Sequence, residues 1–414
     1  MKDLKRQQTA AYFVAFIALG LAIASLGPTL PGLAGQVHVS VADISYLFTL
    51  RSFGFLIGSL LSGTFYDRMS GHGVMAAMII SMSATLALMP VAGTLVVLLS
   101  VMFLLGTAEG ALGVGGNALL VWVHQSRVAP FMNALHFSYG VGAFISPLII
   151  HSALKIRDTT AAAYLALAIL VLPSAIWLLG LPSPRNPGAV SESNSEGSQP
   201  AHELRETVNG QDPGYIAAVN YKVVVLVAIL LCLYIGAEVS YGNWIYSYVL
   251  KMNLGGDDMA AYLTSAFWGS LTVGRLLGVP LAAKFRPGKL LLVDLVGCFA
   301  SLGVALLWSN SAAAITAASI GAGLSMASIY PMALSLAERR SRITGQVTGF
   351  LLLGGSVGGM IVPFLIGQMF DNTGPRVMMF IILFDLIGAL AVYLILAAGS
   401  TTEYRPAPAA QQES

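Results

Sequence analysis

Twelve long apolar runs, separated by short polar turns, fill nearly all of the chain between Ala10 and Ala398. A helix crossing the bilayer core needs roughly 20 apolar residues, and it must satisfy its own backbone polar groups because no water is there to do so. Every run is long enough, so the pattern dictates an all-α polytopic membrane protein. Composition leaves no soluble alternative. With 56% hydrophobic and 10% charged residues and a mean hydropathy of +0.78, a chain of this size lacks the polar surface to clothe a globule.

The same numbers exclude several functions. A formal net charge of +2 gives no basic face that neutralises a row of phosphates, so nucleic acid is not a partner. Cys232 and Cys298 both fall inside apolar runs and have no ligand-type spacing; they read as small buried side chains, not as a disulfide or a metal site. The chain shows no nucleotide-binding glycine loop, no His/Cys/Asp cluster of metal type and no nucleophile–base spacing. Neither an enzyme nor a cofactor is therefore expected, and work done across the membrane must draw on a gradient.

Turn signals place the spans at 10–33, 43–66, 73–91, 95–122, 131–153, 160–181, 220–249, 259–283, 288–309, 312–336, 344–369 and 376–398. The basic start, with Lys2, Lys5 and Arg6, reads as the flank of a retained first helix and not as a cleaved signal. Fifteen Lys and Arg residues lie in segments on the side of both ends, against four on the other side, Lys155, Arg157, Lys251 and Arg376. The positive-inside rule then makes both termini cytoplasmic in a plasma membrane, the inner membrane if the cell is bacterial. Residues 182–218 open with Pro182-Ser183-Pro184-Arg185-Asn186-Pro187 and continue rich in Ser, Glu, Asn and Gly, a composition that cannot build a core. They read as a cytoplasmic linker between six-helix bundles at 1–181 and 219–398, with a tail at 399–414.

The two bundles look like copies. A shift of 216 sets Gly140 to Pro147 over Ser356 to Pro363, and a shift of 217 sets Asp67 to Gly71 over Lys284 to Gly288. A duplicated six-helix unit with a polar connection is the footprint of a transporter that rocks one half against the other around a midplane site. The turn Gly63-Thr64-Phe65-Tyr66-Asp67-Arg68-Met69-Ser70-Gly71-His72 resembles the signature of the major facilitator superfamily, with its second glycine one residue late and His72 where a basic residue usually stands. The resemblance implies that Asp67 and Arg68 belong to a cytoplasmic gate.

A narrower resemblance rests on Leu26-Gly27-Pro28-Thr29-Leu30, Gly110 to Trp122, Asn133-Ala134-Leu135-His136-Phe137 and Gly236 to Ile245. These stretches are similar to the sodium-dependent glucose transporter branch related to fucose-galactose-glucose:proton symporters. What this implies is uptake of a monosaccharide coupled to protons or sodium, with helices one, four, seven and ten lining the cavity. The first span lacks the acidic residue that the fucose symporters carry there. A monomer is expected, with a small solute, the coupling ion and the bilayer as its partners.

Charged groups inside a bilayer are costly, so each one is a functional candidate. Counting about 1.5 Å per residue, Glu109 sits near the middle of the fourth span and Glu238 near the middle of the seventh. A carboxylate in a poorly solvated cavity suits ion coupling, for which Glu109, Arg51 and Glu238 are candidates with Glu109 the first; a permanent pair of Glu109 with Arg51 of the second span is the structural alternative. Glu238, Tyr241 and Tyr248 share a helical face, while Asn243 and Trp244 join them if the helix unwinds at Gly242. A sugar needs directional polar partners and an aromatic plate, which makes Glu238, Tyr241, Asn243 and Trp244 candidate cargo ligands with Asn117, Asn133, His136, Tyr139 and Trp268.

Arg275 and Tyr330 lie toward the cytoplasm and read as gate residues, and Asp385 in the twelfth span has no assigned role. Gly27-Pro28 with Pro31-Gly32, Ser146-Pro147, and Gly358-Gly359 with Pro363 are candidate hinges or breaks. The second reading is a proton-coupled exporter of drugs or amphiphiles, for which the sixteen methionines give some footing, although Met75, Met78, Met82 and Met89 cluster in the third span.

Overall fold

The computed structural model describes residues 2–157, 159–184, 219–342 and 344–399. The expected linker beyond Pro184 and the expected tail beyond Gly399 lie outside the described residues. Among those described, every regular element is helical. The first six spans comprise α1 (Lys2–Ile23), α2 (Leu26–Gln36), α3 (Val41–Ile44), α4 (Tyr46–Arg68), α5 (Gly71–Leu88), α6 (Leu95–His124), α7 (Ala129–Arg157) and α8 (Thr160–Leu179). The second six comprise α9 (Tyr221–Lys251), α10 (Gly256–Lys284), α11 (Pro287–Leu307), α12 (Ala312–Met326), α13 (Ile329–Glu338), α14 (Gly345–Thr373) and α15 (Val377–Ala398). Among the described residues eleven spans, with α3–α4 and α12–α13 each counted as one, are long and apolar enough to cross a bilayer, or twelve when the bent pair α1–α2 counts as one span.

Capping side chains start several helices where the sequence changes from turn to apolar run. Thr94, Asn220, Ser311 and Thr344 each accept an N–H from the first turn of α6, α9, α12 and α14.

Among the described residues Ser45 alone separates α3 from α4 in the second span, and two further spans are interrupted. α1 and α2 meet at a 44° bend, and α12 stops at Met326 before α13 begins at Ile329. In each case the third residue of the second piece is a proline, Pro28 or Pro331. A proline ring excludes the carbonyl four residues earlier and offers no N–H, so Ala24 and Ala327 fall in the breaks. The first break lies just before the expected Gly27-Pro28 site, whereas the second was not expected. The other two expected breaks are corrected: α7 and α14 run unbroken through Pro147 and Pro363. Around Pro363 the carbonyls of Gly359 and Met360 instead accept from Ser52 Oγ and Thr49 Oγ1 of α4, each at 3.1 Å. Partners from across the molecule let a proline persist in a continuous membrane helix.

Glycines set the tightest helix contact. Gly54 and Gly58 of α4 face Gly106 and Gly110 of α6, and a Cβ added at any of the four would collide with a carbonyl oxygen of the facing helix. Without a hydrophobic drive between helices in lipid, small residues four apart bring backbones together. Gly354 and Gly358 of α14 pack in the same way on the Ala228 and Cys232 carbonyls of α9.

The two bundles touch at the end remote from the chain termini. There α2 packs on α9, α3 and α4 on α14, and α7 on α10. Gln368 donates to the Ala42 carbonyl at 2.8 Å, and Asp258 at the start of α10 pairs with both His151 and Lys155 of α7, the latter at 2.6 Å. A small apolar cavity of about 190 Å³, lined by Leu30, Ile44, Leu250 and Phe370 among others, sits in this sealed end, away from the buried charges.

Gly58→Ala is expected to cost about 1–3 kcal/mol through overpacking and to lower Tm in lipid nanodiscs, whereas Gly303→Ala, where nothing lies within 4 Å, leaves Tm unchanged. Equal Tm values for the two would remove the α4–α6 contact as a stability determinant.

Candidate functional site: two buried arginine–glutamate pairs

The break in the first span ends the regular ladder of α1, and of its last carbonyls Ala22 O accepts from Ser25 through both N–H and hydroxyl. Ser146 Oγ of α7 donates to the Leu21 carbonyl at 2.7 Å. Arg51 of α4 takes the next two, Nη2 donating to Ala22 O at 2.8 Å and Nη1 to Ile23 O at 3.1 Å. Its remaining fork closes on Glu109 of α6, with Nε to Oε2 at 2.9 Å and Nη2 to Oε1 at 2.6 Å. Four contacts from a group with five N–H donors leave almost nothing to exchange. Glu109 is 1% exposed. Of the two alternatives the sequence left open for Glu109, this geometry favours the structural pair.

The second pair is looser. Glu238 of α9 lies 3.5 Å from Arg275 Nη2 of α10, with side chains 12% and 26% exposed. Its other oxygen accepts from Tyr234, one helical turn earlier, and the Tyr234 hydroxyl also contacts the Met326 carbonyl at 2.9 Å, at the break of the tenth span. Arg275, expected at the cytoplasmic gate, places its side chain against Glu238. Tyr139 of α7 lies within electrostatic range of Arg275, Glu238, Arg51 and Glu109. Tyr330 of α13 is within range of Arg275 and Glu238.

The other sequence candidates divide. Asn133, His136 and Gly140 share a face of α7, and Gly140 packs against Thr272 of α10. That face therefore looks toward the second bundle, with Asn133 and His136 exposed on it and His136 edge-on to Phe16. Asn117 and Asn243 donate to carbonyls of their own helices, Gly113 and Val239, each at 2.8 Å. Tyr241 and Trp244 are corrected as cargo ligands. Both are 0% exposed: Tyr241 bonds Ser319 at 2.9 Å and stacks on Phe267, while Trp244 donates to Pro363 O at 3.0 Å. α9 does not unwind at Gly242, so the rotation that would bring Asn243 and Trp244 to the Glu238 face does not occur.

Trp268 is buried against Gly242, its indole N–H without a partner among the described residues. Asp67 and Arg68 are exposed at the end of α4. His72 is not an exposed basic group: it is 2% exposed and contacts Tyr12 at 2.7 Å and the Leu181 carbonyl at 2.9 Å. Asp385 is buried, Oδ2 unpartnered among the described residues. Tyr234, Ser328 and Asp294 were not anticipated, though Pro331 and the i, i+4 spacing of Tyr234 and Glu238 were visible signals.

Eleven or twelve apolar spans among the described residues, set in two bundles that each bury an arginine–glutamate pair, fit one family, and the family described as Major Facilitator Superfamily matches over residues 12–363. The chain belongs to this superfamily. It is a multi-pass major facilitator transporter. Sodium-dependent glucose transporter 1 of Homo sapiens is 30% identical over 378 residues, covering 85% of this chain and 71% of that protein. Sodium-dependent glucose transporter 1A of Mus musculus is 27% identical, covering 86% and 88%. Major facilitator superfamily domain-containing protein 4A of Homo sapiens is 28% identical, covering 89% and 87%.

Glu109→Gln strands a buried guanidinium, a change that costs about 3–5 kcal/mol. The variant is expected to show a lower Tm and to lose solute exchange and accumulation together. Normal Tm with loss of accumulation alone would return Glu109 to the coupling role.

Proposed function

We propose that this major facilitator transporter carries a monosaccharide across the plasma membrane by alternating access, coupled to a proton or sodium gradient. The observation that carries the reading is the contrast between the two pairs. Arg51–Glu109 is saturated and belongs to one bundle, while Glu238–Arg275 is long, partly exposed and within electrostatic range of Tyr139 of the other bundle. A cation competes with Arg275 for Glu238, and occupancy of that carboxylate by cation and cargo together favours closure of the bundles around them. His136, Asn133, Tyr139 and Tyr330 supply hydroxyl-directed hydrogen bonds at the cavity wall, and the unspent indole N–H of Trp268 is a further donor once its ring turns toward the cavity.

Contacts between bundles concentrate at the end remote from the termini. With both termini cytoplasmic, as the distribution of Lys and Arg supports, the cavity opens inward. Asp67 and Arg68 at the inner end of α4 then serve the gate that closes when the opposite end opens. The printed names of the relatives support a hexose as cargo and sodium as the ion.

The deciding experiment is uptake of labelled glucose, galactose and fucose into proteoliposomes under a proton gradient, a sodium gradient or neither. Accumulation under one gradient that collapses with the matching ionophore is expected. Absence of uptake of all three sugars under either gradient overturns the sugar reading in favour of an amphiphile exporter. Glu238→Gln is expected to retain equilibrium exchange and to bring the accumulation ratio to about unity; undiminished accumulation would move the ion site elsewhere.

A further inference from the structure

The Tyr234 hydroxyl is 0% exposed and sits between two acceptors, Glu238 Oε2 and the Met326 carbonyl. A phenol has one O–H to give and two lone pairs to receive. While Glu238 is ionised, both neighbours only accept, so the single hydrogen serves one of them. The carboxylate takes it, because a hydrogen bond to an ionised acceptor is about twice as strong as one to a neutral carbonyl. Met326 O, the last carbonyl of α12, is then released.

Loading Glu238 with a monovalent cation reverses the assignment. A proton on the carboxyl makes it a donor to the Tyr234 oxygen, and the Tyr234 hydrogen swings to Met326 O. A sodium ion drawing on the carboxylate lone pairs frees the same hydrogen. Apart from the cation itself, no atom is gained or lost, and no covalent bond is exchanged within the chain.

We propose that Tyr234 is a positioning residue that transmits cation occupancy of Glu238 to the break in the tenth span. The inference rests on the reading of Glu238 as the ion site. The other lip of the break is already held, since Ser328 Oγ donates to Asp294 Oδ2 of α11 at 2.5 Å. Only the Met326 lip is conditional. α13 beyond it carries Tyr330, within electrostatic range of Glu238 and Arg275, so a change in the angle of the break moves a wall of the cargo site. The first bundle holds its own break with Arg51 on the Ala22 and Ile23 carbonyls, a fixed clasp where the second has a switched one.

Glu238 is contacted by Tyr234 of its own helix and by Arg275 of α10, with Tyr139 of α7 and Tyr330 of α13 within electrostatic range. α2 and α12 contain no titratable residue, Asp371 of α14 pairs with Lys251 at the remote end, and Asp385 of α15 lies toward Cys232. From α11, Asp294 bonds Ser328 at the other lip of the break and Cys298 lies within electrostatic range of Tyr234, so Glu238 is the carboxylic acid that contacts Tyr234 itself, and a pH response that survives in Glu238→Gln belongs to Asp294.

The test is hydrogen–deuterium exchange of the full chain in nanodiscs, reading amides 325–333. One series varies pH without sodium, and the other varies sodium at fixed alkaline pH. In the wild type one cation is expected to slow exchange there by about threefold or more relative to distant helices. Tyr234→Phe, which keeps the ring and removes the hydroxyl, should lose that response. Glu238→Gln, whose amide donates to Tyr234 as a protonated acid does, should be slow in every condition.

A response to pH identifies the proton and a response to sodium identifies the metal ion. If Glu238→Gln is unresponsive and Tyr234→Phe still responds, the role of Tyr234 is overturned and the ion site stands. If Glu238→Gln responds like the wild type, or the wild type responds to neither cation, the ion-site reading fails and the switch with it. Should Tyr234→Phe not assemble, Glu238→Gln decides alone: constitutively slow exchange upholds the switch, and fast exchange overturns it.

Discussion

A single guanidinium holds the first bundle in register. Arg51 caps the end carbonyls of a broken helix and at the same moment neutralises a buried glutamate on a third helix. Each of those groups would be costly in a bilayer without the others: a charge without its counter-charge, and carbonyls without donors. The glycines at 54, 58, 106 and 110 make the arrangement possible by bringing α4 and α6 into backbone contact. Break, charge pair and glycine seam are one construction, and its cost in desolvation is recovered only because all parts are present.

The second bundle uses the same parts with a different fastening. A proline three residues into α13 breaks the tenth span as Pro28 breaks the first, and again a buried carboxylate stands beside the exposed carbonyl end. Here, however, the link is a hydroxyl with one proton to share, and the arginine stands off at 3.5 Å. A charge-assisted fork is rigid, whereas a long, partly exposed contact leaves room for a competitor. Two bundles of similar build can then divide the work, one serving as frame and the other as the part that responds.

How legible this was depended on the range of the interaction. The apolar runs, the polar connection and the repeat were plain, because a bilayer imposes its length rule on each segment separately. Glu109, Glu238 and Arg51 stood out because charges in such runs are rare. The aromatic candidates on α9 misled: Tyr241 and Trp244 look like a sugar platform in sequence, yet they face Ser319, Phe267 and Pro363 of neighbouring helices. Helical period gives the relative direction of two side chains but not which neighbour either one meets. Pro147 and Pro363 misled for a related reason. A proline removes a ladder bond in any helix, but whether the helix then breaks depends on donors elsewhere, and Ser52 and Thr49 provide them around Pro363.

The sequence by itself determined that this chain lives in a membrane, crosses it about twelve times in two related halves, and keeps very few charges inside. Those properties follow from local energetics, since each helix must satisfy lipid on its own. Only the tertiary structure decided which charges are locked and which remain exchangeable, because that depends on angstrom-scale approach between helices far apart in the chain. Arg51 and Glu109 are 58 residues apart, Glu238 and Arg275 are 37, and nothing in the spacing says that one pair closes at 2.6 Å and the other stops at 3.5 Å. The difference lies in what surrounds them, a glycine seam and two helix-end carbonyls in one case and a partly exposed arginine beside a shared tyrosine hydroxyl in the other.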